Sequence, residues 1–142
     1  QARVASGPAD FAGFWDVQKF PGKRSLRSMA KTTLEIALMA DGVAAADVYK
    51  VLATKEGADR AFKKMSELKA NIQWWEAGAQ PPQFLVAGDV VMATAFNGRI
   101  DAAQREGKNL KIERDLKSDR EQWITDHVVS AYTKASATPR AK

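Results

Sequence analysis

The sequence contains no cysteine, which excludes disulfide bonds, thiolate metal ligands and cysteine nucleophiles. Its single histidine, His127, falls on the apolar stripe of a predicted helix, where a packed histidine is far more common than a catalytic one. No histidine and carboxylate have the spacing of metal ligands, and the glycine-rich phosphate-binding motifs and the G-x-S-x-G motif are missing. We therefore predict that the chain is not an enzyme and holds no cofactor or metal.

Long hydrophobic runs are also missing. No segment approaches the roughly 18 apolar residues that span a bilayer, so no membrane-spanning helix is expected. The sequence starts without a methionine or a basic-then-apolar leader, which predicts a chain that begins after processing or is an excised piece. What is present fits one folded domain of ordinary size, since 45% of the 142 residues are hydrophobic and 27% are charged.

Positive charge exceeds negative charge, with 22 lysines and arginines against 17 acidic residues and a net charge of +5. Clustered cations would bind nucleic acid by displacing counterions from phosphates. Most of these cations are instead dispersed among acids, and the one tight group comprises Lys19, Lys23, Arg24 and Arg27. Nucleic-acid binding through Lys23, Arg24 and Arg27 therefore stays a less favoured alternative, and no nucleic-acid partner is expected.

Hydrophobic patterning predicts strands that alternate with helices along the chain. The predicted strands cover residues 23–27, 71–75 and 90–96, with an edge strand around 110–112; the predicted helices cover 30–40, 57–69, 80–88 and 97–106, and a last helix follows the capping box Ser118-x-x-Glu121 and carries Trp123, Ile124, His127, Val128, Ala131 and Tyr132. Ser28 and Asn97 are the predicted N-cap residues of the helices beside them. This order predicts a three-layer α/β fold in which helices flank a mostly parallel sheet.

In a parallel sheet, the loops that follow the carboxyl ends of the strands meet at one edge, where ligands bind. Three predicted loops meet this condition: residues 27–30, 76–80 and 96–98. Neighbouring side chains of a strand point to opposite faces, so one indole of Trp74 and Trp75 can face a ligand. An indole face attracts an ammonium group, and Glu76 and Phe96 would complete such a site. Packing of both tryptophans under helices is an equally weighted alternative.

Several ordered segments resemble the second lobe of spermidine/putrescine-type periplasmic solute-binding proteins. They are residues 14–24 (FWDVQKFPGKR), 33–43 (TLEIALMADGV), 59–64 (DRAFKK), 74–81 (WWEAGAQP), 88–92 (GDVVM) and 96–100 (FNGRI), and the resemblance covers residues 10–112. It implies one lobe of a type II periplasmic-binding-protein fold, in a bacterial receptor that passes a small solute to the permease of an ABC importer. It also implies a periplasmic location and a polyamine or another small cationic compound as the solute.

On this resemblance, the ligand-binding residues lie in the three loops named above: Ser28, Met29, Trp75, Glu76, Gln80, Phe96 and Asn97. Residues 1–9 are predicted to be a connector, residues 10–134 the single lobe and residues 135–142 a loose tail. The first lobe of the family has no counterpart here. Because a good small-molecule site buries about 70–90% of its ligand, weak or absent affinity is expected for this chain alone. A structural or engineered domain that associates with itself through exposed apolar surface is the main alternative.

Overall fold

Helices cover both faces of one five-stranded sheet in the computed structural model of the protein, which describes Pro8, residues 10–113 and residues 128–133. The described helices are α1 (Phe11–Trp15), α2 (Ala30–Ala40), α3 (Val48–Leu52), α4 (Lys55–Glu67), α5 (Gln80–Ala87) and α6 (Asn97–Arg105), with short 3-10 helices at Ala45–Asp47 and Lys69–Asn71. The described strands are β1 (Arg24–Arg27), β2 (Ile72–Trp75), β3 (Met92–Phe96), β4 (Leu110–Glu113) and β5 (Val128–Thr133). The predicted alternation of strands and helices over residues 23–106 is therefore confirmed.

The strand order of the sheet is β2-β1-β3-β5-β4. Strand β1 pairs in parallel with both β2 and β3, whereas β5 pairs antiparallel with both β3 and β4. Four strands consequently run in one direction and β5 runs against them. The predicted α/β fold with a mostly parallel sheet is confirmed, and β4 is the edge strand that the sequence predicted.

The two faces of the sheet bury separate apolar clusters, because alternate residues of a strand point to opposite faces. Met92 of β3 belongs to a cluster with Phe14 of α1 and Ile36 of α2. The next residue, Ala93, belongs to a cluster on the other face that includes Leu85 of α5 and Ile100 of α6. A central strand buried on both faces has the continuous apolar sequence that residues 90–96 show.

The predicted last helix is wrong where the structure describes it. Residues 128–133, including Val128, Ala131 and Tyr132 of the predicted apolar stripe, form the antiparallel strand β5. The physical reason is the pairing of this backbone with β3 and β4, which outweighs a helical spacing of apolar residues. Ser118, Glu121 and His127 lie outside the described residues, as do residues 1–7 and 134–142, so the boundaries of the connector and tail stay predictions.

Arg24, at the amino end of β1, is fully buried and serves the fold. Its Nε donates to the carbonyl oxygen of Phe14 at 2.8 Å, its Nη2 to that of Asp16 at 3.0 Å, and its Nη1 to that of Gly22. Burial lowers the pKa of Arg24 to about 10 despite the nearby Asp16 carboxylate. A guanidinium with no exposed surface cannot contact a phosphate. Arg24 therefore cannot take part in the nucleic-acid binding that was considered for Lys23, Arg24 and Arg27.

Candidate functional site

The carboxyl ends of β1, β2 and β3 lie next to one another, as parallel pairing requires. Arg27, the last residue of β1, is opposite Trp75, the last residue of β2. The backbone N–H of Ser28 extends this pairing by donating to the carbonyl oxygen of Trp75 at 2.8 Å. Phe96 ends β3, and its ring meets the Trp75 indole edge-on at a centroid distance of 5.5 Å. The three predicted loops therefore start from one edge of the sheet, which we call the strand-end edge.

A cation already lies against these aromatic rings. The Cζ atom of Arg27 is 5.5 Å from the centroid of the Trp75 ring and 5.2 Å from that of Phe96, within the range of cation–π attraction. We call Arg27, Trp75 and Phe96 the arginine–aromatic cluster. The Arg27 Nε is buried and has no hydrogen-bond partner among the described residues. From the sequence, Arg27 was placed in the basic group and at the start of the loop 27–30, but it was not among the predicted ligand-binding residues.

The two adjacent tryptophans have opposite environments. Trp75 is 1% exposed and its Nε1 donates to the Thr94 hydroxyl at 3.4 Å, whereas Trp74 is 49% exposed. One indole is thus buried and the other reaches the surface, as the alternation of side chains along a strand predicts. The Trp75 indole is buried and is in contact with Arg27. Direct contact between Trp75 and a solute therefore stays a prediction.

Trp74 lines a groove that also contains Ser28 and Met29, the predicted site residues that follow β1. The groove has a volume of about 530 Å³ and runs between α2, α4 and β2. Its further lining residues include Leu34, Phe62, Met65 and Lys69. Met29, Phe62 and Trp74 are exposed, so this α2–α4 groove combines an apolar floor with a cation at its rim.

Gln80 holds the loop that follows β2. Its side-chain oxygen accepts hydrogen bonds from the backbone N–H groups of Glu76 at 2.8 Å and Ala77 at 2.9 Å. Pro81 occupies the first turn of α5, where a missing N–H has no cost. The Glu76 carboxylate is exposed and forms no ion pair with any described residue. The structure therefore assigns Gln80 a positioning role and leaves Glu76 available at the strand-end edge.

The predicted N-cap role of Ser28 is wrong. Met29 occupies the N-cap position of α2 without a side-chain hydrogen bond, and the first turn is irregular. Thr32 has φ 73° and ψ −46°, a strained conformation for a β-branched residue. The Thr33 hydroxyl donates to the Arg27 carbonyl oxygen at 2.9 Å, and the buried Glu35 carboxylate accepts from the Thr32 backbone. These contacts, rather than a serine cap, join the end of β1 to α2.

The predicted N-cap role of Asn97 is also wrong, because Phe96 occupies the N-cap position of α6. The Asn97 side-chain oxygen accepts from the backbone N–H of Gly98, the next residue, at 2.7 Å. The half-buried amide of Asn97 remains at the strand-end edge beside Phe96. Gly78 of the neighbouring loop packs so closely that an added Cβ would be 3.0 Å from the Phe96 ring.

Other kinds of site are missing from the part of the chain that the structure describes. The aspartate and glutamate side chains of this part form no group of three that could hold a metal ion. Within the same residues, no helix combines the length and apolar character needed to cross a bilayer. The strand-end edge and the α2–α4 groove are thus the features that carry a functional interpretation.

The fold and its strand-end edge are those of one lobe of a periplasmic binding protein, the fold of the structural neighbours. The chain belongs to the bacterial extracellular solute-binding protein family, whose sequence profile matches residues 1–142. The predicted membership of a bacterial solute-binding protein family is confirmed. The finer assignment to the spermidine/putrescine type stays a prediction, and the relatives described next carry other names.

The γ-aminobutyric acid-binding protein of Pseudomonas aeruginosa PAO1 is 66% identical over 110 residues, which are 78% of this chain and 31% of the relative. A solved ABC transporter substrate-binding protein from Bradyrhizobium japonicum USDA 110 is 48% identical with a TM-score of 0.63, over 72% of this chain and 30% of that one. The solved Atu4243 GABA receptor is 36% identical with a TM-score of 0.65, over 73% and 31%. The chain thus spans 30–31% of the length of these relatives.

Proposed function

We propose that this chain forms one wall of the solute cleft in the receptor of an ABC importer, binds a small solute that carries an ammonium group, and performs no catalysis. The observation that supports the proposal is the meeting of three parallel strand ends. They bring Ser28, Glu76, Phe96 and Asn97 to one edge of the sheet, the edge at which ligands bind in open α/β sheets.

The exposed carboxylate of Glu76 supports an ammonium-bearing solute, because it has no ion-pair partner among the described residues. Two classes of solute meet this requirement. The resemblance to spermidine/putrescine-type receptors favours a polyamine or another small cation, whereas the names of two relatives favour γ-aminobutyrate. The 66% identity to the P. aeruginosa protein gives γ-aminobutyrate the stronger support.

The location and partner of the proposed receptor follow from its family. Members are bacterial extracellular proteins, and we place this chain in the periplasm. There it would present its solute to an ABC permease in the inner membrane. The single lobe covers one side of a solute, so the affinity of the 142-residue chain alone should be in the millimolar range, far weaker than that of an enclosed site.

The proposal is tested by following the backbone and indole NMR resonances of this chain during titration with γ-aminobutyrate, putrescine and spermidine. We expect shifts confined to residues of the strand-end edge, with weak saturation. Glu76→Gln should reduce these shifts for all three amines, and the matched variant Glu106→Gln, an exposed acid beyond the end of α6, should not. Resonances that remain unchanged at high concentrations of every amine would contradict the proposed function, and micromolar binding would contradict the expected weakness.

Self-association is a second candidate, favoured by the α2–α4 groove. Met29, Phe62 and Trp74 are exposed large apolar residues that line this one groove. Sedimentation velocity at two concentrations should show a larger species at the higher one if the groove joins two copies. Phe62→Ser should then abolish the larger species, whereas Tyr49→Ser, at an exposed aromatic residue outside the groove, should leave it unchanged. A single monomeric species for the unaltered chain at both concentrations would contradict this candidate.

A further inference from the structure

Arg27 occupies the place at which an aromatic site would bind the cation of a solute. Its guanidinium lies over the rings of both Trp75 and Phe96, at 5.5 and 5.2 Å. The Arg27 guanidinium already occupies the position over these rings. A second cation beside it would be repelled by the like charge. The ammonium group of a solute is therefore directed away from the arginine–aromatic cluster.

The same guanidinium has no polar partner on the protein side. Among the described residues Arg27 forms no ion pair and no side-chain hydrogen bond, and its Nε is buried. The buried Nε–H is out of reach of a solute, whereas neither terminal NH2 group is fully buried, and a planar guanidinium can bind a carboxylate through two parallel hydrogen bonds. Arg24 is the contrasting case, because its guanidinium donates hydrogen bonds to three carbonyl oxygens. Arg27 is thus a cation with unused donors at the strand-end edge.

The neighbouring strand end supplies the opposite charge. Trp75 is opposite Arg27 in the pairing of β1 with β2, and Glu76 follows Trp75 directly. Adjacent strand backbones are separated by about 4.8 Å, so Arg27 and Glu76 are neighbours along the edge, and alternation directs their side chains to opposite faces of it. This arrangement fits a zwitterion whose two charges are separated by a short methylene chain. It does not fit a polyamine, since one of its ammonium groups would approach Arg27.

We infer that Arg27 determines the solute class of the proposed cleft: it binds the carboxylate of a short zwitterionic amino acid, while Glu76 faces the ammonium group, and it disfavours polyamines. The inference rests on the proposed function and adds to it the residue that selects among amines. Trp75 and Phe96 act as positioning residues, because they support the guanidinium from the lobe interior.

The test compares ligands that differ in one charged group. γ-Aminobutyrate, butylamine, butyrate and putrescine are titrated into the chain while the Trp75 indole N–H resonance is followed. We expect γ-aminobutyrate to bind about tenfold more tightly than butylamine or putrescine. Arg27→Gln should remove this preference, and Arg27→Lys should retain part of it because the charge remains without the planar fork. Arg105→Gln, an exposed arginine paired with Asp101 on α6, removes the same charge elsewhere and should retain the preference.

The outcomes separate the inference from the function beneath it. If amines and amino acids bind the unaltered chain equally well, or if Arg27→Gln keeps the preference for γ-aminobutyrate, Arg27 does not select the solute and the inference is overturned while the receptor function stands. If none of the four compounds shifts the resonance, the proposed function itself is contradicted. Should Arg27→Gln fail to fold, Arg27→Lys decides, because an undiminished preference in that variant would exclude the guanidinium fork as its source.

Discussion

Strand β1 carries an arginine at each end, and the two are used in opposite ways. Arg24, at the amino end, has no exposed surface and gives its donors to three backbone carbonyl oxygens. Arg27, at the carboxyl end, is half-buried, lies on two aromatic rings and has no polar partner among the described residues. A buried charge whose hydrogen bonds are all made stabilises the fold, whereas a charge without a polar partner at the strand-end edge is available to the proposed solute.

The difference also separates the two ends of the sheet. At the amino end of β1, the chain from α1 to Gly22 wraps around Arg24 and closes the lobe. At the carboxyl end, hydrogen bonds between the backbone and the side chains of Gln80 and Thr33 hold the loops. The charged side chains of this end take no part in these hydrogen bonds. We therefore expect that substitutions only three positions apart change stability and the proposed solute binding independently.

The largest expected effect sharpens this comparison directly. Arg24→Met should destabilise the chain by about 3–5 kcal/mol, because three buried carbonyl oxygens lose their donor. Arg27→Met should change the free energy of unfolding by about 0.5 kcal/mol or less, since an apolar side chain of similar length can rest on the same rings. Urea denaturation followed by circular dichroism measures both. Equal losses for the two variants would show that Arg27 is as structural as Arg24.

A smaller difference is expected between the two tryptophans that end β2. Trp75→Leu should cost about 2–3 kcal/mol, because the fully buried indole packs against Phe96 and the smaller side chain leaves a cavity. Trp74→Leu should cost less than about 1 kcal/mol, since half of its surface is already in water. Thermal unfolding of the two variants in the same buffer makes the comparison. The reverse order would mean that the α2–α4 groove, rather than the arginine–aromatic cluster, stabilises this end of the sheet.

Two glycines beside the strand-end edge provide a still smaller contrast. An added Cβ at Gly78 would be 3.0 Å from the Phe96 ring and 3.5 Å from Arg99, whereas one at Gly98 would meet nothing within 4 Å. Gly78→Ala should therefore cost about 1 kcal/mol and displace the Phe96 ring. Gly98→Ala, within helix α6, should be neutral or stabilising by about 0.5–1 kcal/mol. Ring-proton shifts of Phe96 and chemical denaturation test both, and a neutral Gly78→Ala would show that the loop moves freely.

The smallest expected effect depends on pH. Burial raises the pKa of Glu35 above its ordinary value near 4.5, against smaller opposing effects of the Thr32 backbone and Lys31. The folded state thus holds this proton more tightly than the unfolded state. The resulting stabilisation is present below the ordinary pKa and is lost as the pH rises through the raised one.

Glu35→Gln should remove this dependence. The stability of the variant relative to the unaltered chain should therefore increase as the pH rises from about 4 to 7. Denaturation at a series of pH values measures the difference, with Glu106→Gln as the exposed control. A relative stability that falls over this interval would show that the Glu35 carboxylate is stabilised, rather than strained, at the start of α2.

Much of this architecture could be predicted from the sequence, and the reasons are physical. The apolar run before Phe96 and the Trp74-Trp75 pair identify strands, and parallel strands place their carboxyl ends together. What the sequence could not predict depends on contacts between distant segments. Strand β5 was expected to be helical, because the spacing of Val128, Ala131 and Tyr132 hides its pairing with β3.

The role of Arg27 lay beyond sequence reasoning for a similar reason. Arg24 and Arg27 are three residues apart in one basic group, and only their surroundings distinguish a satisfied guanidinium from an unsatisfied one. The cap of α2 is a second example. Ser28 has the residue type of an N-cap, yet the left-handed Thr32 and the Thr33 hydroxyl bond to Arg27 start the helix differently.

The Arg27 Nε–Hε resonance provides the most direct measurement of the central claim, because it belongs to the guanidinium whose terminal NH2 groups would bind the carboxylate and has no hydrogen-bond partner among the described residues. It can be assigned by its loss in Arg27→Lys and followed during titration with γ-aminobutyrate and with putrescine. We predict that this resonance shifts with γ-aminobutyrate, because the guanidinium changes its surroundings when its terminal NH2 groups bind the carboxylate, and that it changes little with putrescine. A resonance that responds to putrescine and ignores γ-aminobutyrate would contradict the assignment of Arg27 as the carboxylate anchor.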